Sequence, residues 1–149
     1  MLAAAFASVA LLPGLLTPTV TAVDKQTPLP ILLPRTMNTT ISPLYASGDG
    51  NRKDYQVVVS SEKDCGANAC SLAFFSAYKG MKPYGTRKVT LANGRKGRYL
   101  PLSCGGSCSP PSIQWTERGN LYEIQMDFEK NARAELVKMA NSAIKAGPR

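Results

Sequence analysis

The chain has 149 residues, enough for one domain, and carries 18 bases against 10 acids for a net charge of +8. It contains no histidine, which excludes serine–histidine and cysteine–histidine nucleophile pairs, an imidazole general base and histidine-built zinc sites. From position 65 to position 116 there are seven bases and no acid, so the net charge belongs almost wholly to the middle third.

Taken in chain order, the first 23 residues carry no charge. Within them "LAAAFASVALLPGLL" forms an apolar run, and Val20 and Ala22 supply small side chains at cleavage positions. This is the pattern of a secretory signal peptide, residues 1–22, cut near Ala22. Pro13, Gly14 and Pro18 interrupt the run, against the roughly 20 continuous apolar residues of a membrane span. A secreted or periplasmic protein without a transmembrane span is expected.

Residues 23–52 are rich in Pro, Thr and Ser. Pro28, Pro30, Pro34 and Pro43 forbid a regular helix or central strand and predict a loosely packed, extended arm. Its "ILL" and "PLY" segments offer apolar side chains that could dock on the domain. Asn38-Thr39-Thr40 fits a glycosylation acceptor in a eukaryotic secretory route.

The folded unit is expected over residues 53–149. "YQVVVS" and "SLAFFSAY" read as strands, separated by a loop with Cys65 and Cys70. In "RKVTLANGRKGRYLPL" the Asn93-Gly94 pair signals a hairpin. A strict two-residue loop would mix Val89 and Leu91 with Lys96 and Arg98 on one face, so a bulge at Gly97 or a longer loop is expected. "SIQWTE" sets Ile113 and Trp115 on a core face, and "LYEIQMDF" alternates Tyr122, Ile124, Met126 and Phe128 with Leu121, Glu123, Gln125 and Asp127. Leu136, Val137, Ala140, Ala143 and Ile144 form the apolar stripe of a final helix, begun near Asp127 or Asn131 and stopped by Gly147-Pro148. The fold class is α+β: an antiparallel meander of about six strands with one C-terminal helix packed on a face.

Four cysteines in a small exported chain imply disulfides. A simple meander would put the loop of Cys65 and Cys70 at one end of the sheet and that of Cys104 and Cys108 at the other. Disulfide geometry then requires the local pairings Cys65–Cys70 and Cys104–Cys108. A dithiol oxidoreductase would want Cys-x-x-Cys at a helix start, and the spacing is irregular for a four-cysteine zinc site. No cofactor and no metal is expected.

Arg87, Lys88, Arg95, Lys96 and Arg98 crowd one hairpin, with Tyr99 beside them. They are candidates for an anion-binding surface facing an acidic glycan, an anionic lipid headgroup or an acidic protein. Nucleic acid is not favoured, since no recognition module is evident. The competing reading is an edge hairpin kept from pairing by its charges. Glu117, Glu123 and Asp127 lie on or near the last hairpin, where outward acids are ordinarily solvent-facing and form no recognisable catalytic spacing.

The stretch "IQWTERGNLYEIQ" followed by "LVKMANSAI" resembles the end of small exported bacterial sheet-plus-helix domains. In these a Trp-bearing strand, a Gly turn, a Tyr-x-Ile strand and a helix with an Ala-x-Ser-Ala core close the fold. The resemblance implies a fold and no active site. The functional expectation is a non-enzymatic exported binding or envelope-associated module. The alternatives are an exported enzyme using surface carboxylates or a redox-active cysteine pair, and an inhibitor presenting the stapled loop "SCGGSCSPP".

Overall fold

The computed structural model describes residues 8–149; residues 1–7, where the apolar leader segment begins, lie outside the described residues. In chain order the elements are β1 (Ser8–Leu11), α1 (Leu12–Asp24), β2 (Thr36–Thr39), β3 (Tyr45–Gly50), β4 (Asp54–Ser60), β5 (Ser71–Tyr78), β6 (Arg87–Thr90), β7 (Lys96–Leu100), β8 (Ser103–Cys104), β9 (Cys108–Ser109), β10 (Ser112–Glu117), β11 (Asn120–Met126) and α2 (Ala132–Ala146). The α+β architecture is as expected: a seven-stranded antiparallel sheet with the C-terminal helix packed on it. Two small ribbons, β1–β2 and β8–β9, stand apart.

The strand order β3-β4-β5-β11-β10-β7-β6 differs from a single meander. Two meanders, β3–β4–β5 and β6–β7–β10–β11, are joined because β11 rather than β6 pairs with β5. That order makes β5 and β6 run the same way, so the chain between them must travel back along the sheet. Both helices occupy the inner face, and residues 79–86 therefore cross the outer one. Pairing of β7 with β10 and of β5 with β4 also brings both cysteine loops to one end of the sheet. The expected separation to opposite ends does not hold. The pairings are nevertheless local, Cys65–Cys70 and Cys104–Cys108, with Cα separations of 5.9 and 4.0 Å. Each bridge closes its own loop, and Cys104 sits directly opposite Cys108 in the β8–β9 ladder.

Alternation supplies the core. Tyr55, Ala77, Tyr122 and Trp115 form one cross-strand row on the inner face, and Val57, Phe75, Ile124, Ile113 and Tyr99 form the next. All nine are buried. Trp115 stacks on Tyr122 with ring centroids 5.8 Å apart, and Leu136, Met139, Ala140, Ala143 and Ile144 of α2 are buried over this face. Removing a large apolar side chain of this kind from water contributes about 1.5–3 kcal/mol. Gly147, at φ 72°, ends α2 where the sequence placed its stop.

The folded body begins well before residue 53. Leu29, Ile31, Leu32, Leu33 and Met37 are buried in the core, and the arm also supplies β3, the seventh strand. Prolines prevent a regular ladder over residues 28–34, but they leave an extended chain free to lay apolar side chains on a sheet. Two phenols hold it there. Tyr55 Oη accepts from the Leu32 N–H at 3.0 Å, and Tyr122 Oη donates to the Pro30 carbonyl at 2.7 Å.

The described part of the segment that reads as a leader, residues 8–22, is built into the fold as well. Its Ala22 lies inside α1, and Leu12, Leu16 and Val23 of that helix are fully buried. Pro13 stands at the helix start, where its missing N–H costs nothing. Beneath α1, β3 has glycines at two of its three inward positions, Gly48 and Gly50, with Ala46 at the third. A Cβ at Gly48 would lie 3.1 Å from Thr19 and Val23 side-chain carbons and 2.8 Å from the Gln56 carbonyl oxygen. The side-chain amide of Asn38, the glycosylation candidate, donates to Glu135 Oε2 at 2.8 Å.

Candidate functional site

The hairpin β6–β7 resolves the conflict noted in its sequence by a longer loop. Thr90 pairs with Lys96, leaving residues 91–95 as the connection. Asn93 (φ 56°) and Gly94 (φ 70°) both adopt the left-handed conformation that Asn and Gly tolerate best. The connection is closed by the Leu91 N–H donating to the Arg95 carbonyl at 2.8 Å, and it is pinned to α2 by the Ala92 N–H donating to Asn141 Oδ1 at 2.6 Å.

This register separates the two faces. Val89 pairs with Gly97 on the core side, where a Cβ at position 97 would meet Leu91 at 2.7 Å. On the outer side Lys88 lies opposite Arg98, and Lys96 opposite Thr90. Arg133 of α2 reaches the sheet edge, its Nη2 donating to the Lys88 carbonyl at 3.3 Å. Lys88, Thr90, Lys96, Arg98 and Arg133 line a cavity of about 650 Å³ together with Val89 and Gly97, and no carboxylate is among its walls.

Of the six residues singled out in the sequence, Lys88, Lys96 and Arg98 are brought together. Arg95 lines a different cavity, of about 410 Å³, and is held by Glu117, whose hydrogen bonds and charge raise its guanidinium pKa further. Arg87 is exposed but pairs with Tyr99, on the core side of the hairpin. Tyr99 is buried in the core. Sequence reading missed Arg133 because it is distant in the chain and sits on the polar side of a helix whose apolar stripe drew attention. It also missed Tyr84, whose loop carries no strand or helix signal.

Next to the cations the outer face continues as one cross-strand row: Arg98, Gln114, Glu123, Ser76 and Gln56. Gln114 is fully buried beneath the crossover, and its Nε2 donates to Glu123 Oε2. Ser112 Oγ donates to the same oxygen at 3.3 Å. Glu123 is half-buried in this row, whereas Asp127 lies past the end of β11 and is exposed.

Compared with known proteins, the chain matches no family model, no curated protein and no solved structure.

Proposed function

We propose that the protein is an exported, non-enzymatic binding module whose β6–β7 hairpin holds an acidic partner. One observation carries this reading: Lys88 stands directly opposite Arg98, with Lys96 and Arg133 lining the same cavity and no acid among them. Like charges placed opposite one another on a sheet destabilise it, and a merely solvated surface ordinarily mixes signs. An anion seated among these side chains would relieve the repulsion. Two disulfides support work outside the reducing cytosol, as does the resemblance of the C-terminal third to exported bacterial domains. No helix among the described residues is long and apolar enough to cross a membrane.

The test is retention on an immobilised acidic polymer across a salt gradient. Neutralising Lys88, Lys96 and Arg98 together should move elution to much lower salt. Elution at the wild-type position would overturn the proposal.

A second reading rests on the ribbon β8–β9. Residues 101–109 are all exposed, Cys104 and Cys108 included, so the stapled loop is presented outward. It is suited to insertion into a partner's cleft or to exchange with an external thiol.

A further inference from the structure

The crossover of residues 79–86 is clamped to the sheet beside the cations. The backbone N–H groups of Tyr84 and Gly85 both donate to Gln114 Oε1, at 3.0 and 3.2 Å. Gly85 rests on β7 so closely that a Cβ there would lie 2.7 Å from Arg98 Cβ and 2.7 Å from Leu100 Cδ1. Tyr84, adjoining this clamp, keeps 63% of its surface in solvent. Through Gln114 the Tyr84 backbone is linked to Glu123, whose carboxylate takes the other end of the same amide, and burial, then the charge of Glu123, raises the Tyr84 phenol pKa. A fixed backbone thus holds an exposed tyrosine at Gln114, the residue that stands between Glu123 and Arg98 in the cross-strand row.

We propose that this face binds an acidic glycan, with a sugar ring lying against Tyr84, its hydroxyls donating to Glu123, and its carboxylate or sulfate held by Arg98, Lys88 and Lys96. The proposal rests on the anion-binding reading above and adds the ligand's class. The mixture of groups selects that class. Glu123, two places along the row from Arg98, offers an acceptor that a ligand bringing charge alone cannot use. It accepts hydrogen bonds from a ligand that carries hydroxyls as well as charge. Tyrosine offers a large, rigid contact surface at small entropic cost, and Arg98 can grip a planar carboxylate at two points.

The experiment titrates the full chain with polygalacturonate and heparin, using poly-glutamate, phosphatidylglycerol vesicles and neutral dextran as comparators. Tyr84→Ala, at an exposed site, should weaken binding to one of the acidic polysaccharides by about tenfold, in the range of an aromatic contact, and leave poly-glutamate binding unchanged. Tyr84→Phe should retain most of the affinity. Arg98→Gln should weaken binding to every anion. If Tyr84→Ala binds both polysaccharides like wild type while Arg98→Gln is impaired, the glycan assignment fails and the anion site stands. If Arg98→Gln also binds like wild type, both fail. Tighter binding to vesicles or poly-glutamate than to either polysaccharide likewise overturns the glycan assignment.

Discussion

Arg95 and Glu117 grip each other at two points, Nε to Oε1 at 2.8 Å and Nη2 to Oε2 at 3.1 Å, tying the β6–β7 turn to the β10–β11 turn. This pair withdraws one cation from the surface on which an anion would land. Arg95→Gln is therefore expected to leave retention on an acidic polymer nearly unchanged. Arg98→Gln should weaken it by about fivefold, on the order of 1 kcal/mol for one half-exposed charge. Glu117→Gln, which releases Arg95, should strengthen retention. Salt-gradient elution of the three variants decides between a surface ordered in this way and one in which every base counts alike.

The phenols that hold the arm make two further expectations. Tyr55→Phe strands the buried Leu32 N–H and should cost about 1–3 kcal/mol in urea unfolding.

Alkaline pH should act through the same contacts. Burial pushes the Tyr122 phenol up to about 12, with the charge of Glu117 adding to the shift and Arg118 opposing it. A phenol raised in the folded state stays neutral where the unfolded chain has already ionised. Its contribution is complete below about pH 10 and is lost as pH climbs from there to about 12. Urea midpoints should stay level to about pH 9 and then fall, less steeply in Tyr122→Phe. A profile equally steep in that variant would contradict the assignment.

The helix α1 should prove indispensable. Leu16→Ala removes a fully buried side chain and is expected to cost about 2–5 kcal/mol. Gly48→Val would ordinarily suit a strand, yet here it drives a side chain into Thr19, Val23 and the Gln56 carbonyl and should cost about 1–3 kcal/mol. A chain starting at Val23 should lose stability, and in it Gly48→Val should cost less than in the full chain, since Thr19 is gone while the Gln56 carbonyl still crowds the site. Equilibrium unfolding of the four proteins tests the pairing of helix and glycines. The result that sinks it is a neutral Gly48→Val in the full chain.

Graded reductant should separate the two disulfides. Cys70 is buried, whereas Cys104 and Cys108 are both exposed on a ribbon outside the core. The Cys104–Cys108 bridge should open first, as measured by alkylation and mass mapping, while far-ultraviolet circular dichroism stays unchanged. Its loss removes roughly 2 kcal/mol of chain-entropy stabilisation, as for any loop this short.

Period-two alternation made the inner face legible: Ile113, Trp115, Tyr122, Ile124 and Met126 all lie where their spacing put them. The α2 stripe was equally plain, with Met139 joining it. The order of the strands was not, because pairing of β11 with β5 depends on distant contacts rather than on either strand's own pattern. That one pairing undid the meander and with it the argument from opposite ends, although the disulfides are local. The arm reads as loosely packed, with docking of "ILL" and "PLY" left open, for a different reason. Proline rules describe backbone hydrogen bonding and say nothing of whether Ile31, Leu32 and Leu33 can bury their side chains. At the site, the charge cluster located Lys88, Lys96 and Arg98, but a linear pattern could not say that Glu117 would claim Arg95 or that Tyr99 would turn inward.

The pairing of β5 with β11 is a seam. Each half of the sheet closes through hairpins between neighbours in sequence, whereas Leu121 must find Tyr78, and Met126 must find Ala73, across most of the intervening chain. Contacts of that reach are slow to form, because loop-closure entropy is spent before they return anything. Assembly of the two halves should therefore set the pace of folding. The outer surface around Gln114 and Tyr84 takes shape only once that docking is complete.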